Sequence, residues 1–204
     1  LPPAVVTVHD LGYRRFPAAH SRRQRLYLDW STRWSAGAAT RVIAISEATA
    51  HDLHHFYGVN PRKIDVIYEA TVPLTAPDSL PGALPDAFLP GLPRPYALFV
   101  GTIQPRKNLV RLAQAYAQLV RTHAVPWDLV LAGGEGWLSA EVTGPIAALE
   151  LPERIHRLGY VTQAALDTLL RHALLFCYIS LYEGFGLPVL EAQLHGVPVM
   201  TANN

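Results

Sequence analysis

A single cysteine, a single methionine and only two lysines occur in the 204 residues. One cysteine cannot form a disulfide within the chain, so no cystine framework holds the fold, which fits a reducing cytoplasm. Cys177 falls in the most apolar stretch and reads as a small core residue. No apolar run approaches the roughly 20 residues needed to span a bilayer. Charge of one sign is lacking too: 17 Lys and Arg against 16 Asp and Glu leave a net charge of +1, which excludes any global pull towards nucleic acid or membrane. No motif recurs with a period of 20–50 residues, so this is not a repeat protein. There is no initiator Met and no signal-peptide pattern. With a strand expected almost at once after Leu1-Pro2-Pro3 and another just before Asn203-Asn204, both ends are expected to be cut. What the chain has in quantity is apolar surface, 50% of its residues, enough to form a core and exclude general disorder.

β-Branched runs alternate with helix-period stretches. Val5–Val8, Val42–Ile45 and Ile64–Tyr68 read as strands, with a Trp- and Tyr-rich helix to about Gly37 and a second helix capped by Ser46 and stopped by Gly58. Seven prolines (73, 77, 81, 85, 90, 93 and 95) then fall within 23 residues. Proline removes donors and fixes φ, so residues 73–95 read as a semi-rigid linker between a domain over 1–72 and another over 96–204. Beyond it, strands at Tyr96–Val100, Leu129–Ala132, Ile155–Leu158, Leu174–Ser180 and Val197–Met200 alternate with helices at 109–123, 164–171 and 188–195. Such alternation predicts an α/β fold with parallel sheets and crossover helices. Ligands of such sheets bind beyond the carboxyl ends of the strands. Gly101, Gly133, Tyr160 and Glu183 all lie just after strands and are expected to share one rim.

Residues 183–191, Glu-Gly-Phe-Gly-Leu-Pro-Val-Leu-Glu, carry the most specific signal. A buried strand feeds a glycine turn at Gly184 and Gly186, and Pro188 suits the first turn of a helix. Backbone N–H groups and the helix dipole then converge on an anion. Glu183 and Glu191 repel a phosphate but accept hydrogen bonds from sugar hydroxyls; alone, they equally suit the helix N-terminus electrostatically. Gly101-Thr-Ile-Gln-Pro-Arg-Lys-Asn108 places two cations, Arg106 and Lys107, on the same rim. Paired cations there suit a diphosphate, the bland reading being two solvated surface charges.

The 183–191 string resembles the donor-binding motif of the retaining glycosyltransferases of family 4, the group 1 glycosyltransferases. That resemblance implies the GT-B fold: two facing Rossmann-like domains with parallel sheets, both incomplete in this chain. It implies that Glu183 with the backbone of Gly184, Phe185, Gly186 and Leu187 holds the transferred sugar, and that Glu191 holds the ribose of a nucleotide-sugar. Gly101 to Asn108 is similar to the segment whose Arg and Lys grip the donor phosphates; Thr102 stands where some members carry a further Arg. Gly133 lies in a glycine-rich turn near the donor, and Tyr160-Val161 matches the segment that meets the base. His9 is similar in context to the acceptor-domain histidine near the anomeric carbon, with Asp10 either orienting it or capping the next turn. The implied reaction moves a hexose, mannose or glucose, from a GDP- or UDP-sugar to a glycan, lipid-linked or small-molecule hydroxyl with retention. Its expected catalytic residues are His9, Arg106, Lys107 and Glu183, with no metal and no cofactor.

Other readings stay open. Gly133-Gly134-Glu135-Gly136 lacks a third glycine at the spacing of a dinucleotide fingerprint, and no Tyr-Lys pair marks a nucleotide-sugar epimerase. A non-catalytic nucleotide-sugar-binding remnant is a further alternative. His51, His54 and His55 read as a solvated face without a third ligand for a metal. The five arginines of residues 14–25 are either an ordinary charged loop or a peripheral contact with the inner face of the membrane or a lipid-linked acceptor. Localisation is expected to be cytoplasmic.

Overall fold

Parallel strands need crossover helices, and each strand run identified above pairs in that way. The computed structural model describes residues 3–71 and 95–203. The linker expected over 73–95 therefore lies outside the described residues, Pro95 excepted. Two compact units are present: residues 1–70 with 181–187, and residues 71–180 with 188–204. The sequence reading had placed 181–187 with the second.

In the first unit the order is β1 (Val5–Val8), α1 (Gly12–Arg15), α2 (Arg22–Ala38), β2 (Arg41–Ala44), α3 (Glu47–Tyr57) and β3 (Ile64–Val66). The three strands form one parallel sheet in the order β1-β2-β3, with Val6 opposite Val42 and Ala44 opposite Val66. Leu11, Val42, Ala44 and Leu53 are fully buried at its core. Ser46 caps α3 by accepting from the Thr49 N–H at 3.1 Å, and Gly58 ends it in the left-handed region at φ 65°. The arginine-rich stretch is not one loop: it is divided between α1, a 3₁₀ turn at Pro17–Ala19 and the first turn of α2. β3 ends two residues earlier than its composition predicts, because its neighbour β2 ends at Ala44 and leaves Ile67 and Tyr68 exposed.

The second unit runs β4 (Tyr96–Val100), α4 (Leu109–Thr122), β5 (Asp128–Ala132), α5 (Ala140–Ala147), β6 (Ile155–Gly159), α6 (Gln163–His172), β7 (Leu175–Tyr178), α7 (Leu187–Leu194) and β8 (Val199–Thr201). All five strands are parallel in the order β6-β5-β4-β7-β8. The chain winds outwards from β4 in one direction, then returns to β7 on the other side, so the switch point lies between β4 and β7. β4 and β5 are buried almost throughout, as strands covered on both faces must be. α5 was not anticipated, since Gly144 and Pro145 argue against a helix. It forms because Val142 and Ile146 bury one face, although Pro145 forfeits a backbone bond. Gly196 ends α7 at φ 72°, the left-handed stop expected of it.

Candidate active site

In the second unit, the carboxyl ends of β4, β5 and β6 are laced together by backbone bonds. The Gly101 N–H donates to the Ala132 carbonyl at 2.9 Å, and the Gly133 N–H to the Gly159 carbonyl at 2.7 Å. Gly133 has φ +147°, and a Cβ there would lie 2.0 Å from the Gly101 carbonyl oxygen. No other residue fits, so the glycine-rich turn packs backbone on backbone. Thr102 follows Gly101 on this rim. Tyr160, after β6, is 84% exposed and presents its ring to solvent; Val161 beside it is half-buried.

Arg106 and Lys107 lie in a 3₁₀ turn, Pro105–Lys107, joined to α4 through Asn108 in the left-handed conformation. They are 8% and 6% exposed, which overturns the alternative of solvated surface charges. The Lys107 Nζ donates to the Tyr178 hydroxyl at 2.8 Å and stands 4.7 Å from the Tyr178 ring centroid. Tyr178 is the last residue of β7, so this lysine spans the switch point from the β4 side to the β7 side. A buried ammonium is costly without partners; the phenol oxygen and the ring face offset that cost. Asn108 continues the connection, its Nδ2 donating to the Ile179 carbonyl at 3.3 Å.

Glu191 lies on α7 and is half-buried. Burial raises its pKa from the ordinary glutamate value; His195 opposes the shift and the Asp167 charge adds to it. The His195 Nδ1–H donates to the Glu191 carbonyl at 2.7 Å, while its Nε2 faces Asp167 at 3.8 Å.

The first unit brings His9, Glu183, Gly184 and Phe185 into one region. A Cβ on Gly184 would lie 2.0 Å from the His9 carbonyl oxygen and 3.0 Å from Asp10 Cβ, so Gly184 is required by this approach. The Thr49 hydroxyl donates to the same carbonyl at 3.1 Å. The His9 ring is held in turn: its Nδ1 lies 2.9 Å from Glu69 Oε1. A carboxylate only accepts, so Nδ1 carries the proton and Nε2 is directed elsewhere. Asp10 does not orient His9; its Oδ1 accepts from the Gly12 N–H at 2.8 Å and caps the turn. Phe185 stacks against Tyr68 with centroids 6.0 Å apart.

Just before Glu183, the Tyr182 hydroxyl donates to Asp52 Oδ2 at 2.9 Å. Asp52 is fully buried on α3 and also forms a bidentate ion pair with Arg15. Burial tends to raise its pKa, but hydrogen bonds from Arg15, Tyr182 and His51 hold it below the ordinary value. Burial, with the charge of Asp52, raises the Tyr182 phenol. Sequence reasoning missed Glu69, Asp52, Arg15, Tyr178 and Tyr182. One signal was available: Thr49, Asp52, Leu53 and Phe56 recur at the spacing of a buried helix face, and an aspartate on such a face needs partners. His51, His54 and His55 are exposed, as expected.

Doubly wound parallel strands, a glycine turn of touching backbones and two buried cations at the switch point define the class of α/β protein. Comparison with known proteins identifies which kind. The family described as "Glycosyl transferases group 1" matches residues 86–204, and "Glycosyltransferase Family 4" matches residues 2–71. The chain belongs to the group 1 glycosyltransferases. It is 31% identical to O-antigen chain mannosyltransferase B of Escherichia coli, over 98% of this chain and 53% of that protein. With the UDP-Gal:alpha-D-GlcNAc-diphosphoundecaprenol alpha-1,3-galactosyltransferase of Escherichia coli it shares 27% identity, covering 100% of this chain and 52% of the relative. The fold matches the crystal structure of Anabaena Alr3699/HepE in complex with UDP and glucose, with a TM-score of 0.75 at 23% identity, over 98% of this chain and 53% of that one. The chain thus spans about half the length of the relatives it matches.

Proposed function

We propose that the protein functions as a retaining hexosyltransferase that uses a GDP- or UDP-sugar and a hydroxyl acceptor, with mannose or glucose as the sugar. Arg106 and Lys107 are assigned to the donor diphosphate, Glu191 to the ribose and the Tyr160-Val161 segment to the base. Glu183, with the amides of Gly184 to Leu187, is assigned to the sugar, and His9 to the region of the anomeric carbon. In the reaction the bond from the anomeric carbon to the phosphate oxygen breaks, and the acceptor oxygen bonds to the same face. The acceptor proton passes to the leaving phosphate. Charge grows on that phosphate in the transition state, and fixed cations stabilise it without a metal. Glycan or lipid-linked hydroxyls are the acceptors in view, since the relatives named above include an O-antigen chain mannosyltransferase and a diphosphoundecaprenol-directed galactosyltransferase.

The observation that carries this reading is Lys107, a buried ammonium held on the Tyr178 hydroxyl at the switch point of the sheet. Lys107→Ala in the full-length enzyme is expected to lower kcat by about 10²–10³-fold. Normal turnover in a folded Lys107→Ala enzyme would overturn the assignment.

A further inference from the structure

We propose that α2 is a docking helix that lies flat on an anionic phospholipid bilayer. This inference does not depend on the transferase reading. Leu26, Trp30 and Trp34 follow one another at i, i+4 and i+8, so they form a single stripe along the helix, with Tyr27 beside it. They are 73%, 65% and 62% exposed, and Tyr27 is 66% exposed. The two indoles stack on each other, centroids 6.4 Å apart. The opposite side of α2 faces the core of the first unit, through buried Ala36 and partly buried Leu28. Isolated exposed apolar residues are ordinary, but four large ones in one contiguous stripe mark a contact surface.

The charges around that stripe identify the partner. Arg22, Arg23, Arg25 and Arg33 are exposed, and none forms an ion pair among the described residues. Asp29 is the one acidic residue of α2, and Arg14 neutralises it. An open cavity of about 690 Å³ beside the first turns of the helix is lined by Arg14, Arg22, Arg25 and Leu26 among others, room enough for a phosphate head group. A helix with indole and phenol rings on one face, unpaired arginines around them and low overall hydropathy suits the head-group layer rather than the bilayer interior. Trp and Tyr settle at that depth, and arginine stems lie along the apolar surface with their heads on lipid phosphates. No helix among the described residues is long and apolar enough to cross a membrane. A net charge of +1 gives no global pull towards nucleic acid or membrane, so the electrostatic attraction is local to this helix.

The test is co-sedimentation of the full-length protein with phosphatidylcholine vesicles, with and without phosphatidylglycerol. Binding is expected to vesicles containing phosphatidylglycerol, to be weak with phosphatidylcholine alone, and to be released by added salt. Trp30→Ser with Trp34→Ser should lower partitioning about tenfold or more, and Arg22→Gln with Arg23→Gln and Arg33→Gln should abolish the preference for anionic lipid. Unchanged circular dichroism and melting temperature keep both variants interpretable. Failure to bind phosphatidylglycerol vesicles, or binding indifferent to the tryptophan pair, overturns the proposal. So does protection of Trp30 and Trp34 from acrylamide quenching before lipid is added, which would show a protein segment or a second copy seated on the stripe.

Discussion

At the scale of single residues, Glu191 offers a pH test whose two consequences run in opposite directions. Ribose hydroxyls donate hydrogen bonds, and the ionised carboxylate accepts them more strongly than the protonated acid does. Burial has raised the pKa of Glu191 above 4.5, so donor affinity should weaken as pH falls through that raised value. Stability should change the other way. The folded state holds this proton more tightly than the unfolded chain does, so protonation relieves the fold as pH falls through the same window. Calorimetric titration of donor nucleotide from neutral pH to about 4.5 should show the loss of affinity, and Glu191→Gln should flatten the profile. A profile unchanged in Glu191→Gln would remove this residue from the ribose role. The motif around Glu191 was legible because its nine residues are contiguous. Glu69 was not, since only the fold brings it to His9, 60 positions earlier.

At the scale of elements, β5 and β6 are joined by more than their ladder. Asp128, fully buried at the start of β5, accepts from Arg154 Nε at 2.8 Å and meets His156 Nε2 at 2.9 Å. Arg154 also donates to the Val125 and Trp127 carbonyls, at 2.8 and 2.9 Å. A single carboxylate therefore anchors the edge strand and the loop that precedes β5. Removing one partner of such a buried network leaves the other charges uncompensated, at a cost of about 3–5 kcal/mol. Asp128→Ala is expected to lose about that much in chemical denaturation; Asp128→Asn, which keeps one acceptor, should lose less. A loss below about 1 kcal/mol for Asp128→Ala would mean that water replaces the carboxylate, the range in which exposed pairs fall. Periodicity and caps made the strands and most helices readable, because those signals are local. α5 was missed for the same reason: Gly144 and Pro145 are local breakers, and what overrides them is the tertiary burial of Val142 and Ile146.

At the scale of the whole chain, the fold class was legible because strand–helix alternation leaves a parallel sheet as the economical topology. The grouping of residues 181–187 with the first unit was not. It depends on Tyr182 reaching Asp52, 130 positions away, and on Gly184 meeting the His9 backbone, contacts that no local pattern announces. Ligand linkage tests the donor assignment in the molecule as a whole. A nucleotide that binds only the folded protein stabilises it by about 2.7 kcal/mol at 100 times its Kd. For a chain of this length each kcal/mol raises Tm by roughly 2–4 °C, so UDP or GDP, whichever is the donor nucleotide, should raise Tm by about 5–10 °C. The comparison between the two bases identifies the donor series. Arg106→Ala and Lys107→Ala should each lose most of the shift, measured against their own ligand-free Tm, because the diphosphate would then meet one cation rather than two. Removing Tyr160, whose ring is exposed after β6, should weaken the shift and narrow the difference between the bases. An equal shift in the wild type and both cation variants would place the nucleotide elsewhere in the protein, and the roles assigned to the β4 loop would fall with it.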